Sequence, residues 1–299
     1  MLDVLLDVIL PVLLVAAIGG IVGRKLVSGP EALSGLVFYL FSPALVFTSL
    51  VGAELGGAQV GRIVVVAVCV FAVNTVLALG WAWARRADAP TRAAIAITSS
   101  VPNQGNMGLP IAALAFGAAG LEIATIAFVI GVVMNATTAV TVGAHALGKH
   151  TMRGAFLAPL RYPTLYAAVA GVLLNLMDVE LPTVVWEPAI TLAAAAIPCM
   201  LVVLGLSFQM PRFYDVTDSL AVSMNRLVVG PLAAWALVAA LGMGGTAASV
   251  VILMAAMPAA VNTTILAGQL GANAPLAVSA VVTSTLLSVV TLAVLLTLL

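Results

Sequence analysis

Charge is what this sequence has least of. Only 7% of its 299 residues are Asp, Glu, Lys or Arg, against about 25% in an ordinary soluble domain. That deficit, with 63% hydrophobic residues, excludes a soluble fold and points to an integral membrane protein. The formal net charge is zero, so there is no basic surplus for nucleic acid. Cysteine is almost missing too. Cys69 and Cys199 both fall in apolar runs, which excludes a disulfide framework and any metal-ligand spacing. Neither a metal nor a cofactor is expected. The spans also lack paired Asp, a Ser–His pair and a His-Glu-x-x-His motif, the groups an intramembrane protease needs. The chain therefore reads as a non-enzyme. Most telling is the absence of Asp or Glu from the middle of any span. Proton antiporters and many sodium symporters place a carboxylate there. This chain reads as a uniporter, or as one that couples ions through amides, hydroxyls and carbonyls.

What is present is long apolar segments of helical length, rich in Ala, Leu and Val, rather than the ten-residue alternating strands of a membrane barrel. Ten spans are expected at about 4–23, 31–51, 61–84, 91–117, 122–146, 162–177, 188–209, 219–241, 246–270 and 275–298. The acidic start, with Asp3 and Asp7, does not fit a signal peptide, so the first span reads as uncleaved. Arg24, Lys25, Arg85, Arg86, Arg92, Lys149, Arg153, Arg161 and Arg212 fall on one side of such an arrangement, and only Arg62 on the other. The positive-inside rule then puts the first side in the cytoplasm and both termini outside a plasma (inner) membrane. His145 and His150 flank the cytoplasmic end of span five and read as surface residues. Trp81, Trp83, Trp186 and Trp235 read as interfacial anchors. Arg226, about two turns into span eight, reads as a snorkelling side chain; an anion attractor in a cytoplasmic vestibule is the alternative.

Two spans are interrupted. Val101-Pro102-Asn103-Gln104-Gly105-Asn106-Met107-Gly108-Leu109-Pro110 and Met257-Pro258-Ala259-Ala260-Val261-Asn262-Thr263-Thr264 carry prolines that break a helix. Freed backbone groups at membrane depth need protein or a water-filled cavity to satisfy them. Pro102 and Asn106 share the spacing of Pro258 and Asn262. Pro43 precedes Pro102 by 59 residues and Pro198 precedes Pro258 by 60. Five spans lie on each side of a connection at 147–161, so the second copy enters the membrane from the opposite side, an inverted repeat. The expected fold is an all-α membrane protein of ten helices in two inverted five-helix repeats, 1–146 and 162–299, with spans four and nine broken near the midplane. The half-helices after each break point positive N-terminal ends at the crossing, where a carboxylate is the natural ligand. Pro102, Asn103, Gln104, Asn106, Pro258, Val261, Asn262 and Thr263 are the expected substrate-binding residues, with Thr264 beside them. These amides have an alternative role in satisfying the broken backbone. Asn135, Thr138 and Thr285 form a candidate neutral ion site; Asn74, Thr137, Thr283, Ser284 and Ser288 are further candidates for it.

Pro102-Asn103 followed by Met107-Gly108-Leu109-Pro110 resembles the crossover segment of the auxin efflux carrier family, which includes plant auxin carriers and bacterial malate and malonate permeases. Met254 to Gly271, Thr285 to Ser288 and the Pro43 region are similar to the family as well. The likeness spans the whole chain. It implies a bacterial-type member with external termini, in which a scaffold (spans one, two, six, seven) forms homodimers and a transport domain (spans three to five, eight to ten) moves past it as an elevator. It implies that Pro102 and Pro258 mark the crossing and that Asn103 touches a small organic anion. The long central loop of the plant carriers is reduced here to about fifteen residues.

Overall fold

The structure is a computed structural model that describes residues 4–26, 30–54, 56–146, 157–208 and 214–299; the side chains of Arg24 and of 138–146 are outside that description. Among the described residues the regular secondary structure is helical, with one isolated bridge. The helices are α1 (5–26), α2 (Glu31–Val51), α3 (Gly57–Ala84), α4 (Ala89–Ser100), α5 (104–116), α6 (118–146), α7 (Pro163–Leu176), α8 (Thr183–Ser207), α9 (Val216–Ala240), α10 (Gly245–Ala255), α11 (Asn262–Leu270) and α12 (Ala274–Leu298). Most of the candidate ion-site residues lie on α6 and α12; the side chains of Thr138 and His145 are among those outside the description, and His150 and most of the 147–161 connection fall outside the described residues.

Local chemistry sets many of these boundaries. Asp88 caps α4 by accepting from Thr91 N–H at 3.0 Å, and Pro90 follows in the first turn, where its missing N–H costs nothing. Asn273 caps α12 in the same way through Leu276 N–H at 3.1 Å. Gly271, in the left-handed region at φ 77°, ends α11. Gly117, at φ 66° and ψ −155°, breaks the helical run between α5 and α6.

Among the described residues seven helical stretches are long and apolar enough to cross a membrane, and α7 and α10 are shorter apolar helices. The protein is integral to a membrane. Seven stretches rather than the expected ten reach that length: the breaks leave α4, α10 and α11 short, α5 runs into α6 as one apolar stretch, and α7 has only 14 residues.

α1 packs along α8, and α2 packs along both α7 and α8. The α1–α8 contact is close because glycines face it: a Cβ on Gly205 would lie 1.7 Å from the Ala16 carbonyl oxygen. Asn175 on α7 donates to the carbonyls of Val51 and Ala53 at 2.8 and 3.0 Å, capping α2. On the other side α3 packs on α4 and α9, α9 on α12, and α10 on the α5–α6 run. The start of α5 also touches α8. Met107, Leu109, Met200, Leu253, Met254 and Met257 are fully buried between these groups. The breaks therefore sit in the apolar core rather than against lipid.

Candidate functional site

The two interrupted segments meet. Pro102 and Ala259 form an antiparallel bridge. Asn103 N–H donates to the Pro258 carbonyl at 2.8 Å, and Ala260 N–H to the Val101 carbonyl at 2.9 Å. Ala259 N–H, on the other edge, donates to the Ser284 hydroxyl of α12 at 3.2 Å. Pro102 and Pro258 bring no N–H to satisfy. A short two-stranded pairing inside a helical protein thus satisfies part of the backbone that the breaks release, as membrane burial demands.

Arg226 handles the remaining carbonyls, and this corrects the snorkelling reading. A π-helical turn at Asn225–Val229 sits in α9, and the Arg226 side chain is 1% exposed. Nε donates to Met257 O at 3.1 Å. Nη2 donates to Ala255 O and Met257 O, both at 3.1 Å. Nη1 donates to Ser99 O at 3.4 Å and to Asn74 Oδ1 at 2.7 Å, in the amide orientation that gives both Asn74 atoms partners. All five donors of the guanidinium are engaged. Ser99 lies in the last turn of α4 and Ala255 ends α10, so the cation closes the C-terminal, negative ends of two half-helices at once.

With the backbone satisfied this way, the amides of the first break are left over. Asn103 is 3% exposed and its Nδ2 has no partner; it lies at the N-terminus of α5, whose first N–H groups have no intrahelical acceptor. Asn106, in the first turn of α5, is half-buried, and Asn262, opening α11, is exposed. Gln104 turns the other way. Its Nε2 donates to Met254 O at 3.3 Å, and its Oε1 is buried without a donor. That amide lines a cavity of about 30 Å³ bounded also by Ser100, Pro102, Gly131 and Arg226, large enough for a water molecule or two. Thr263 and Thr264 spend their hydroxyls on the carbonyls of Ala260 and Val261, at 2.6 and 2.9 Å. Val261 is half-buried against a small cluster that includes Ala259 and Leu276.

Of the candidate ion site, Asn135 Oδ1 is buried without a partner, one turn beyond Gly131 on α6. Thr285 is buried on α12, where its carbonyl accepts from Ser288; no hydrogen bond joins the two. Ser284, a further candidate by its sequence position, accepts from Ala259 N–H at the second break. Asp218 is the buried carboxylate among the described residues. It sits in the first turn of α9, not in mid-span, and is held by Trp81 Nε1 at 2.8 Å and Arg85 Nε at 3.4 Å.

The paired breaks contain Pro102-Asn103 and Met107-Gly108-Leu109-Pro110, the residues that carry the family resemblance. The model of the family described as membrane transport protein matches residues 4–154 and 144–296. The chain belongs to this family, the auxin efflux carriers. A transporter of Methanothermobacter thermautotrophicus, described as uncharacterized, is 29% identical over 296 residues, which cover 96% of this chain and 95% of that one. Among auxin efflux carrier features, the signal in Pro102-Asn103 and Met107-Gly108-Leu109-Pro110 was legible in sequence. Arg226 was not assigned there, because a lone arginine near a span end has a cheap surface alternative. Its sign is its position, about two turns into the stretch expected as span eight, with no acid in the middle of any expected span to pair with it.

Proposed function

We propose that this auxin efflux carrier family member is a secondary transporter of small carboxylates across the plasma membrane, with the substrate held where the two breaks meet. The observation that carries this reading is Asn103 Nδ2: a buried amide donor without a partner at the positive end of α5, beside a crossing whose two strands are tied main chain to main chain. A neutral donor at a helix N-terminus suits a carboxylate and leaves no fixed charge stranded when the site is empty. Pro102 and Pro258 hold the crossing open as two extended turns. In this reading Asn106, Asn262 and Val261 are further contacts to the substrate, and Gln104 and Thr263 belong to the same site.

In this reading the seven long helices, the two short apolar ones and the broken segments make up ten spans in two inverted repeats. The antiparallel pairing of the two breaks is what inverted copies produce. Both termini face outside. α1, α2, α7 and α8 form a scaffold that pairs with a second copy, and the rest moves past it as an elevator. The described spans hold no mid-span carboxylate, which favours uniport. The unpartnered oxygens Gln104 Oε1 and Asn135 Oδ1 favour a second reading, sodium coupling through neutral ligands.

The test is flux in proteoliposomes of purified protein, with radiolabelled malonate, malate and indole-3-acetate, with and without sodium and proton gradients. Gradient-independent flux of one anion supports the uniporter. Flux that requires sodium supports the second reading. Absence of flux for all three overturns the substrate class.

A further inference from the structure

We infer that Arg226 sets the charge preference of the crossing without touching the ligand. The inference rests on the proposed function, and its grounds are electrostatic. Each half-helix carries about half an elementary charge at each end, positive at the N-terminus and negative at the C-terminus. α4 and α10 present their negative ends to the crossing at Ser99 and Ala255, and α5 and α11 begin there at Gln104 and Asn262. Four such ends alone would leave a site with no net sign. The Arg226 guanidinium hydrogen-bonds to the Ser99 and Ala255 carbonyls and supplies the one full charge that offsets both negative ends. The two positive ends then remain uncompensated, and the unpartnered Asn103 amide lies at one of them, the start of α5.

Nothing else among the described residues competes for that guanidinium. The acceptors around it are carbonyls and the Asn74 amide. The acid on its own helix, Asp218, is eight residues earlier, about 12 Å along the axis, and is already paired with Arg85 and Trp81. On α3 the neighbouring residue Asn74 is neutral, as are the ends of α4 and α10. All five donors are used, so the cation has none left to bind substrate. It is a positioning residue: it ties α4 to α10 and biases the opposite face toward one negative charge.

The test reads local potential directly and needs no substrate, so it separates this inference from the identity of the transported anion. Cys69→Ala and Cys199→Ala remove the native thiols, and Asn106→Cys places one in the first turn of α5. Its reaction with neutral N-ethylmaleimide is followed against pH, because the thiolate is the reacting form. With Arg226 present the thiol should titrate below the usual value of about 8.5. Arg226→Gln should raise the midpoint by about one unit, a tenfold slower reaction at a fixed pH below both midpoints. Arg226→Lys should restore it. Asn74→Asp is the second variant, for the case that Arg226→Gln does not fold: it keeps an acceptor on Nη1 and neutralises the guanidinium in place, so it should raise the midpoint as well. An unchanged midpoint in Arg226→Gln or Asn74→Asp overturns the inference. So does a thiol that does not react at any pH, since the positive helix ends would then face no aqueous path.

Discussion

The N–H of Asn103 donates to the carbonyl of Pro258 at 2.8 Å, so the residue after the first proline is tied to the second proline, 155 positions away along the chain. This bond and its neighbour from Ala260 to Val101 do the work that the side-chain amides would otherwise have to do. They separate what holds the crossing together, which is main chain, from what is free to meet a ligand, which is the Asn103 amide.

Asn103→Ala should therefore split function from stability. The lost side chain donates to nothing in the protein, so thermal unfolding in detergent should move little. Transport should fall by about 10- to 100-fold, the loss expected for one hydrogen bond to a charged group, about 1.5–3 kcal/mol. Flux of the anion moved by the wild type, compared at low concentration, checks this; unchanged flux removes Asn103 from the site.

Gly131→Ala should act through Gln104. A Cβ there would lie 2.2 Å from Gln104 Oε1, and the flexible amide must swing away and release Met254 O. The variant should slow transport about as much as Gln104→Ala. Combining the two should cost no more than either alone, since both disturb one contact. Additive losses in the double variant would show that Gly131 acts elsewhere.

Gly205→Ala should weaken the protein rather than the site. The added methyl meets the Ala16 carbonyl, which is backbone and cannot turn aside, and overpacking of this kind costs about 1–3 kcal/mol. Gly61→Ala on α3 has open space around it and should be neutral or slightly stabilising, as alanine favours a helix over glycine by about 1 kcal/mol. Unfolding midpoints of the two purified variants in one detergent decide the matter; equal shifts would contradict the packing argument.

Asp88 carries a pH-dependent contribution. The Thr91 hydroxyl, and then the Thr91 N–H, hold its carboxyl below the usual value of 3.8. A depressed carboxylate adds stability above the unfolded-state value and loses it as pH falls through the folded-state value. Asp88→Ala should cost about 1 kcal/mol near neutral pH, as for other helix caps. The gap between variant and wild type should close at pH values below the depressed pKa. A gap that persists in acid would mean that the carboxylate charge is not what caps α4.

Composition and the two prolines were enough to predict an apolar helical protein broken twice. Burial of 63% hydrophobic residues with so few charges admits only a membrane, and a proline with glycines and amides around it marks a break, whereas Pro188 and Pro198 alone leave α8 continuous. The Pro102–Asn103 and Met107–Pro110 motifs were similarly readable, since they name residues rather than contacts. Direction was not. Asn103 and Gln104 are adjacent and both amides, yet one is left over and the other faces a cavity on the far side of the chain. Thr263 and Thr264 look like ligand hydroxyls in the sequence but fold back onto their own turn.

What the sequence determined by itself is local and covalent: where helices start, where they must break, and which segments avoid water. What only the tertiary structure decided is partnership. Arg226 could reach the surface or the core from the same position in the chain. It faces inward because two helix ends, from segments more than 150 residues apart, bring their carbonyls to it, and that meeting exists only after the chain has folded. A buried charge is tolerated when its donors find acceptors, and the acceptors come from parts of the chain that no local pattern connects.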